Sequence, residues 1–338
     1  MFVINSKNKF NYCYIWSMQA FYSIAFYNVE NLFDTIDDPK TFDDDFTPEG
    51  KKHWTKDRYK NKIGKIAKAI SEIGKRKIGH SPTIVGLAEV ENKTVLRDLL
   101  NVSHLKKTPY RYVHFDSLDE RGVDVALIYN SHEFILNHAE PIRPPKFIDK
   151  YGREDYTRDV LYVNGKLNDN FVHIFVVHLP SQRHKKINES KRHSIAEMIK
   201  NRIDYILTNE ENPHVVILGD FNTNPDADTL HRYFKSTPNY MNQSNLEFFN
   251  PMELLMAERK YTTTHRGNWI FYDQMLFSKS FMNQYNGLNL VDADVFNPYF
   301  LQEWKRKYRG MPFRTYVGRK YLGGYSDHFP IYAILKPS

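Results

Sequence analysis

Five oxygen-bearing side chains, Asn28, Glu89, Asp220, Asn222 and Asp327, each stand at the border of an apolar run. Asn28 follows residues 21–27, Glu89 follows 83–87, Asp220 and Asn222 follow 215–218 through Gly219, and Asp327 precedes 330–335. Two histidines share the arrangement: His178 ends the run 171–177, and His328 adjoins Asp327. Strand ends hold side chains rigidly while the adjoining loops leave them open to a ligand. Carboxylate and amide oxygens are hard donors that suit Mg2+, Mn2+ or Ca2+. Carboxylates gathered in one place repel one another unless a cation neutralises them. Imidazoles beside them can pass protons or hold a phosphoryl oxygen. The set describes metal-assisted attack of water on phosphorus, with the cation activating the water and offsetting the growing negative charge.

Such residues need strands to present them, and the periodicity supplies strands alternating with amphipathic helices. Strands are expected over 21–27, 83–87, 110–115, 123–129, 159–166, 172–178, 214–218, 269–277 and 330–335. Helices are expected over 54–77, where Ile63, Ile66, Ala67, Ile70 and Ile73 share one face, and over 93–101, 188–207 and 225–234. Runs of adjacent strands interrupt the alternation, which predicts mixed rather than purely parallel sheets. No repeat or Gly/Ser linker divides the chain, so a single catalytic domain is expected over 21–338. Residues 1–20 read as an N-terminal extension, disordered or lying upstream of a start at Met18.

Composition narrows the class. The 338 residues carry a net charge of +7, with 41% hydrophobic and 26% charged side chains. That balance and length allow a buried core without staples, and 23 Tyr with 23 Phe exclude wholesale disorder. A lone Cys13 excludes a disulfide framework and any cysteine-rich metal centre. No stretch approaches the roughly 20 apolar residues of a membrane span. Polar residues break the N-terminal run too often for a signal peptide, so a cytoplasmic protein is expected.

Other chemistries fail on spacing. No Gly-x-Ser-x-Gly elbow occurs, and His132-Glu133 lacks the second histidine of a zinc protease. Residues 74–81 imitate a phosphate loop, but His80 stands at the lysine position and the segment ends a helix. The loop 28–50 holds eight carboxylates against Lys40, without EF-hand spacing, and is expected to be a solvated loop near the cleft.

In chain order, the stretches 26–34 (FYNVENLFD), 86–90 (GLAEV), 121–127 (RGVDVAL), 177–181 (VHLPS), 219–222 (GDFN), 272–278 (YDQMLFS) and 324–330 (GYSDHFP) resemble the endonuclease/exonuclease/phosphatase superfamily. That superfamily includes deoxyribonucleases, abasic-site endonucleases, sphingomyelinases and inositol-polyphosphate 5-phosphatases. The resemblance covers about residues 21–336 and implies a four-layer α/β sandwich: two mixed β-sheets packed face to face, with helices outside. It implies that Asn28 and Glu89 are ligands of the principal metal, Mg2+ or else Mn2+ or Ca2+, with Asp327 completing or supporting them. Asp220 and Asn222 would orient the attacking water and the phosphate. His328, held by Asp273, and His178, held by Asp124, would flank the phosphate as proton handlers.

The expected reaction is hydrolysis of a phosphodiester, as in a nuclease, by in-line attack of an activated water. An alternative is action on inositol phosphates or phospholipid head groups. A different class, a non-catalytic nucleic-acid-binding protein on the same fold, would be expected to have lost a ligand or a histidine. Arg158 and Arg314 are candidate phosphate contacts. Basic clusters at 51–77, 183–202 and 305–320 provide charge, the last interleaved with Trp304, Tyr308, Phe313 and Tyr316. The expected partner is a phosphate-bearing substrate, nucleic acid leading on the +7 charge, met by a monomer. The stretches 30–34 (ENLFD), 312–316 (PFRTY) and 321–324 (YLGG) look like a bacterial branch of the superfamily with no assigned substrate.

Overall fold

Alternate side chains of the strand His214–Asp220 serve two separate cores. Val216 and Leu218 belong to one, whereas Val215 and Ile217 belong to the other. The same division separates Ile174 and Val176 from Phe175 and Val177, and Leu161 and Val163 from Val160 and Tyr162. Side chains alternate along a strand, so a strand that is apolar throughout is one covered on both faces. The structure, a computed structural model, describes residues 20–149, 151–182, 185–239, 247–282 and 287–338. Of the expected N-terminal extension, all but Ala20 lies outside the described residues.

Two six-stranded sheets account for these faces. In chain order their strands are β1 (Tyr22–Leu32), β2 (Ile84–Val90), β3 (Tyr110–His114), β4 (Asp124–Asn130), β5 (Phe134–Ile142), β6 (Val160–Leu167), β7 (Asn170–His178), β8 (His214–Asp220), β9 (Phe248–Phe249), β10 (Asp273–Ser278), β11 (Leu288–Val295) and β12 (Ile331–Pro337). One sheet has the order β11-β12-β1-β2-β4-β3 and the other β9-β10-β8-β7-β6-β5. Each centres on a parallel pair, β1 with β2 and β7 with β8, flanked by antiparallel neighbours. The sheets meet closely at Gly86, where a Cβ would stand 2.9 Å from Leu218 and 3.2 Å from Val176.

Helices cover the outer faces. α1 (Lys56–Glu72) starts on a Thr55 cap, α2 (Lys75–Ile78) follows it, and α3 (Lys93–Asn101) starts on an Asn92 cap. The apolar stripe Ile63, Ile66, Ala67 and Ile70 of α1, with Val95, Leu96 and Leu99 of α3, packs on the first sheet. On the second sheet, α4 (Lys185–Asn209) and α5 (Asp228–Phe234) bury Ile195, Ile199, Ile203 and Leu230 against Phe175, Val215 and Ile217. The result is helix, sheet, sheet, helix, the expected four layers. No described helix is long and apolar enough to cross a membrane.

Several boundaries depart from expectation for local reasons. β1 runs to Leu32, into the expected acidic loop, and Gly74 at φ 67 breaks the expected helix 54–77. The strand expected over 269–277 begins only at Asp273; residues Asn268–Ile270 pair instead with Thr263–His265. Edge strands β5 and β11 escape the sequence pattern because bulges at 136–138 and 290–292 break their alternation and their outer faces mix polar residues with exposed Ile135 and Val291. A helix α6 (Pro251–Ala257) starts at an Asn250 cap followed by proline, a signal that the sequence reading passed over.

Candidate active site

The parallel centres of both sheets end together, and the polar residues sit on those ends. Across the second sheet, His178 of β7 pairs in register with Asp220 of β8, which pairs with Asp273 of β10. From the first sheet come Asn28 of β1 and Glu89 of β2, with Asp327 and His328 just before β12. Gly219 is required beside Asp220, since a Cβ there would stand 2.1 Å from the Val177 carbonyl oxygen. The Ser326 hydroxyl donates to the Asn28 carbonyl at 2.6 Å and accepts the His328 N–H at 3.1 Å. That link joins the two ends of the sequence in one site.

Bulges aim two of these side chains. The pairing of β1 with β2 slips between Asn28 and Leu32, and Glu30 and Asn31 adopt φ 52 and 51. Glu89 sits in the same irregularity at φ 64, and Asn222 at φ 51. Left-handed backbone at a non-glycine residue costs on the order of 1 kcal/mol. Here it turns Glu89 out of the sheet's alternation and toward β7.

Asp220 is the hub. Its Oδ2 lies 3.8 Å from Nε2 of both His178 and His328, and accepts from Asn28 Nδ2 at 3.1 Å. Its Oδ1 accepts the Asn222 N–H at 2.8 Å. Burial, with the charge of Asp273 adding to it, pushes the Asp220 carboxyl up to about 7. His328 Nδ1 lies 2.7 Å from Asp273 Oδ2. Burial alone would lower this histidine; Asp273, Asp220 and Asp327 outweigh it and push it up to about 10.

Glu89 and His178 sit opposite. Burial would raise Glu89, but the charges of Arg121 and Arg158 and the Asn31 N–H outweigh it and hold the carboxyl down at about 2. Glu89 Oε2 accepts that N–H at 2.8 Å, and Oε1 lies 3.4 Å from Arg121 and 4.0 Å from His178 Nε2. Burial, reinforced by Arg158, keeps His178 neutral. The two histidines are therefore pushed in opposite directions, His328 up by its carboxylates and His178 down by burial.

The expected partnership of Asp124 with His178 is corrected. Among the described residues, His178 Nδ1 is buried with no hydrogen-bond partner. Asp124 instead accepts from Ser117, through the N–H at 3.1 Å and through the hydroxyl, so that its side chain closes a turn on β4. Asp327 meets Arg314 at 3.5 Å, and Arg314 is partly open to solvent. Arg158 is only 6% exposed and is held by the Val123 carbonyl at 3.2 Å and Asp119 at 3.7 Å, reaching the site through its charge. Arg121 was overlooked by residue type alone: it bridges Glu89 and Asn31 Oδ1, the latter at 2.8 Å.

The donor chemistry fits a hard cation. Asp220 and Asp273 bring carboxylate oxygens within 4.8 Å of each other beside His328, and among the described residues Asp273 Oδ1 is a buried acceptor with no partner. Asn28 Oδ1 accepts only the Glu30 N–H, at 3.0 Å, and keeps a lone pair. A cavity of about 640 Å³ lined by Leu254, Leu290 and Pro337 lies at the opposite end of β12 and contains none of these groups.

A family model described as Endonuclease/Exonuclease/phosphatase family matches residues 23–337. No curated protein matches the sequence. Among solved structures, Danio rerio TDP2 complexed with a single-strand DNA product aligns over 94% of this chain and 99% of its own, at 14% identity and TM-score 0.54. The human Nocturnin catalytic domain with bound sulfate covers 95% of this chain and 98% of its own, at 15% identity and TM-score 0.53. A mannosyl-6-phosphatase of Bacteroides thetaiotaomicron covers 93% and 99%, at 14% identity and TM-score 0.53. At such identities the likeness is one of fold.

Proposed function

The chain belongs to the endonuclease/exonuclease/phosphatase family, and on that footing we propose that it is a divalent-metal-dependent phosphodiesterase acting on nucleic acid. One observation carries the reaction: Asp220 Oδ2 stands 3.8 Å from Nε2 of both His178 and His328, and His328 is anchored by Asp273 at 2.7 Å. Paired groups with opposed proton affinities are what proton transfer at phosphorus needs.

Glu89 and Asn28, with Asp327 near them, would hold Mg2+ or Mn2+. When bound, the cation supplies charge neutralisation on the phosphate and a more acidic water. Asp220, fixed by Asn28 and the Asn222 N–H, orients the water in line with the scissile bond and takes up its proton. His328, anchored by Asp273, places positive charge where the phosphorane oxygens develop theirs. His178 completes the hydrogen-bonding enclosure on the other side. Arg314, at the solvent edge of the same loop, grips a phosphate oxygen.

Nucleic acid is favoured by the surface leading into this site. Trp304 and Tyr308 are 59% and 47% exposed among Lys305, Arg306, Lys307 and Arg309. Trp304 stands edge-on against Phe313 at 5.0 Å, which fixes its ring as a platform next to Arg314. Exposed aromatics among cations bind single strands by stacking plus phosphate attraction. The test is one screen with Mg2+, Mn2+ or Ca2+ against single- and double-stranded DNA, RNA, sphingomyelin and inositol phosphates. Turnover confined to the lipid or inositol substrates would replace the nucleic-acid reading, and no turnover of any would remove the enzyme reading.

A further inference from the structure

Freed from His178, Asp124 takes part in a second cluster. His114 at the end of β3 and Asp124 at the start of β4 are buried, and Asp116 lies exposed on the turn between them. One ligand atom from each lies within 4.8 Å of the other two. His114 Nδ1 stands 3.2 Å from the Val125 carbonyl oxygen, and Nε2 stands 3.2 Å from Asp116 Oδ1. A carbonyl can only accept, so Nδ1 carries the ring proton. In a neutral ring, Nε2 is then a lone pair aimed at a carboxylate. Two acceptors face each other there unless positive charge lies between them. A histidine that donates one ring N–H to a backbone carbonyl and turns the other nitrogen inward has the posture of a metal ligand. Asp124 is oriented in turn by Ser117, leaving each carboxylate oxygen a free lone pair.

We propose that His114, Asp116 and Asp124 form a second metal site, separate from the catalytic cluster, that takes Zn2+. An imidazole with two carboxylates is a zinc donor set, whereas Mg2+ and Ca2+ prefer oxygen alone. Modest side-chain adjustment brings three atoms this close to about 2.1 Å from one ion. The ion ties β3 to β4 across the turn that carries Asp119, which pairs with Arg158, and Arg121, which bridges Glu89 and Asn31. The site is thus a staple behind the catalytic loop, and it stands whether or not the proposed reaction is correct.

The test uses full-length protein carrying Glu89→Gln, Asp220→Asn and His328→Gln, which disables both the proposed catalytic metal site and the Asp220–Asp273–His328 cluster, in excess Mg2+. Calorimetric titration with Zn2+ is expected to show one site, with a rise in Tm on binding. Adding Asp116→Asn, an exposed and structurally mild change, is expected to weaken Zn2+ binding at least tenfold and to abolish the Tm rise. Adding His114→Gln is expected to do the same. Co2+ in place of Zn2+ is expected to give visible ligand-field bands that both variants lose. Unchanged Zn2+ affinity and Tm shift in Asp116→Asn would overturn the site, leaving His114 as an imidazolium paired with Asp116. If His114→Gln fails to fold, Asp116→Asn and the Co2+ spectrum decide alone.

Discussion

Asp273 Oδ2 stands 2.7 Å from His328 Nδ1, whereas among the described residues no comparable carboxylate supports His178, whose Nδ1 has no partner there. A carboxylate fixes an imidazole's tautomer and favours its charged form. Asp273→Asn should therefore cut kcat about 100-fold and drop the His328 pKa by NMR titration. Asp124→Asn should leave the pH profile of kcat unmoved, because Asp124 faces Ser117 and His114 instead. A shifted profile in Asp124→Asn would restore it as a support of His178.

Substrate grip and chemistry should separate. Arg314→Ala is expected to raise KM for a phosphorylated substrate with little change in kcat. Trp304→Ala is expected to raise KM for single-stranded DNA about tenfold and to leave KM for bis-p-nitrophenyl phosphate unchanged. Equal losses on both substrates would argue against stacking. Arg158→Ala should instead lower Tm, since it leaves Asp119 unpaired in a largely buried position.

A buried ion pair supports the loop that carries Arg314. Lys62 Nζ donates to Thr315 Oγ1 and the Tyr325 carbonyl, both at 2.5 Å, and lies 3.8 Å from Glu30 Oε2. Glu30 in turn accepts the Thr315 N–H at 2.6 Å. Burial pushes Glu30 up and Lys62 down, so each depends on the other for its charge. Glu30→Ala should cost about 3–5 kcal/mol of stability, measured by denaturant unfolding, and Glu30→Gln with Lys62→Met should recover most of it.

Acid should weaken the far end of the fold. Burial, with nearby His173 adding to it, lowers His214 to about 4, and Nε2 accepts the Leu288 N–H at 3.3 Å. The unfolded chain binds this proton near pH 6.5 and the folded chain only near pH 4, so stability rises with pH across that window. On the order of 3 kcal/mol should be lost as pH falls from about 6.5 to 4. His214→Phe should flatten that part of the stability–pH curve; an unchanged slope would contradict it.

The central strands were legible in the sequence because burial on both faces leaves near-continuous apolar runs such as 215–218, and a polar residue ending such a run stands out. Edge strands β5 and β11, bulged and with apolar Ile135 and Val291 exposed on their outer sides, carry no such contrast. Motif order placed Asn28, Glu89, His178, Asp220, Asp273 and His328 correctly near one another, but a motif fixes position rather than direction. Asp124 pairs in register with Val90, one residue past the Glu89 bulge, and points to Ser117 rather than His178. Arg121 reaches Glu89 across 32 positions, a contact that no local pattern announces.

The decisive measurement is hydrolysis of bis-p-nitrophenyl phosphate by the intact protein and by Glu89→Ala, each with Mg2+ and again with EDTA. The expected result is turnover that EDTA abolishes and that Glu89→Ala lowers at least 100-fold, roughly the loss of one well-placed electrostatic contact. Turnover that survives EDTA, or a Glu89→Ala variant at the full rate, would contradict metal-dependent catalysis at this site.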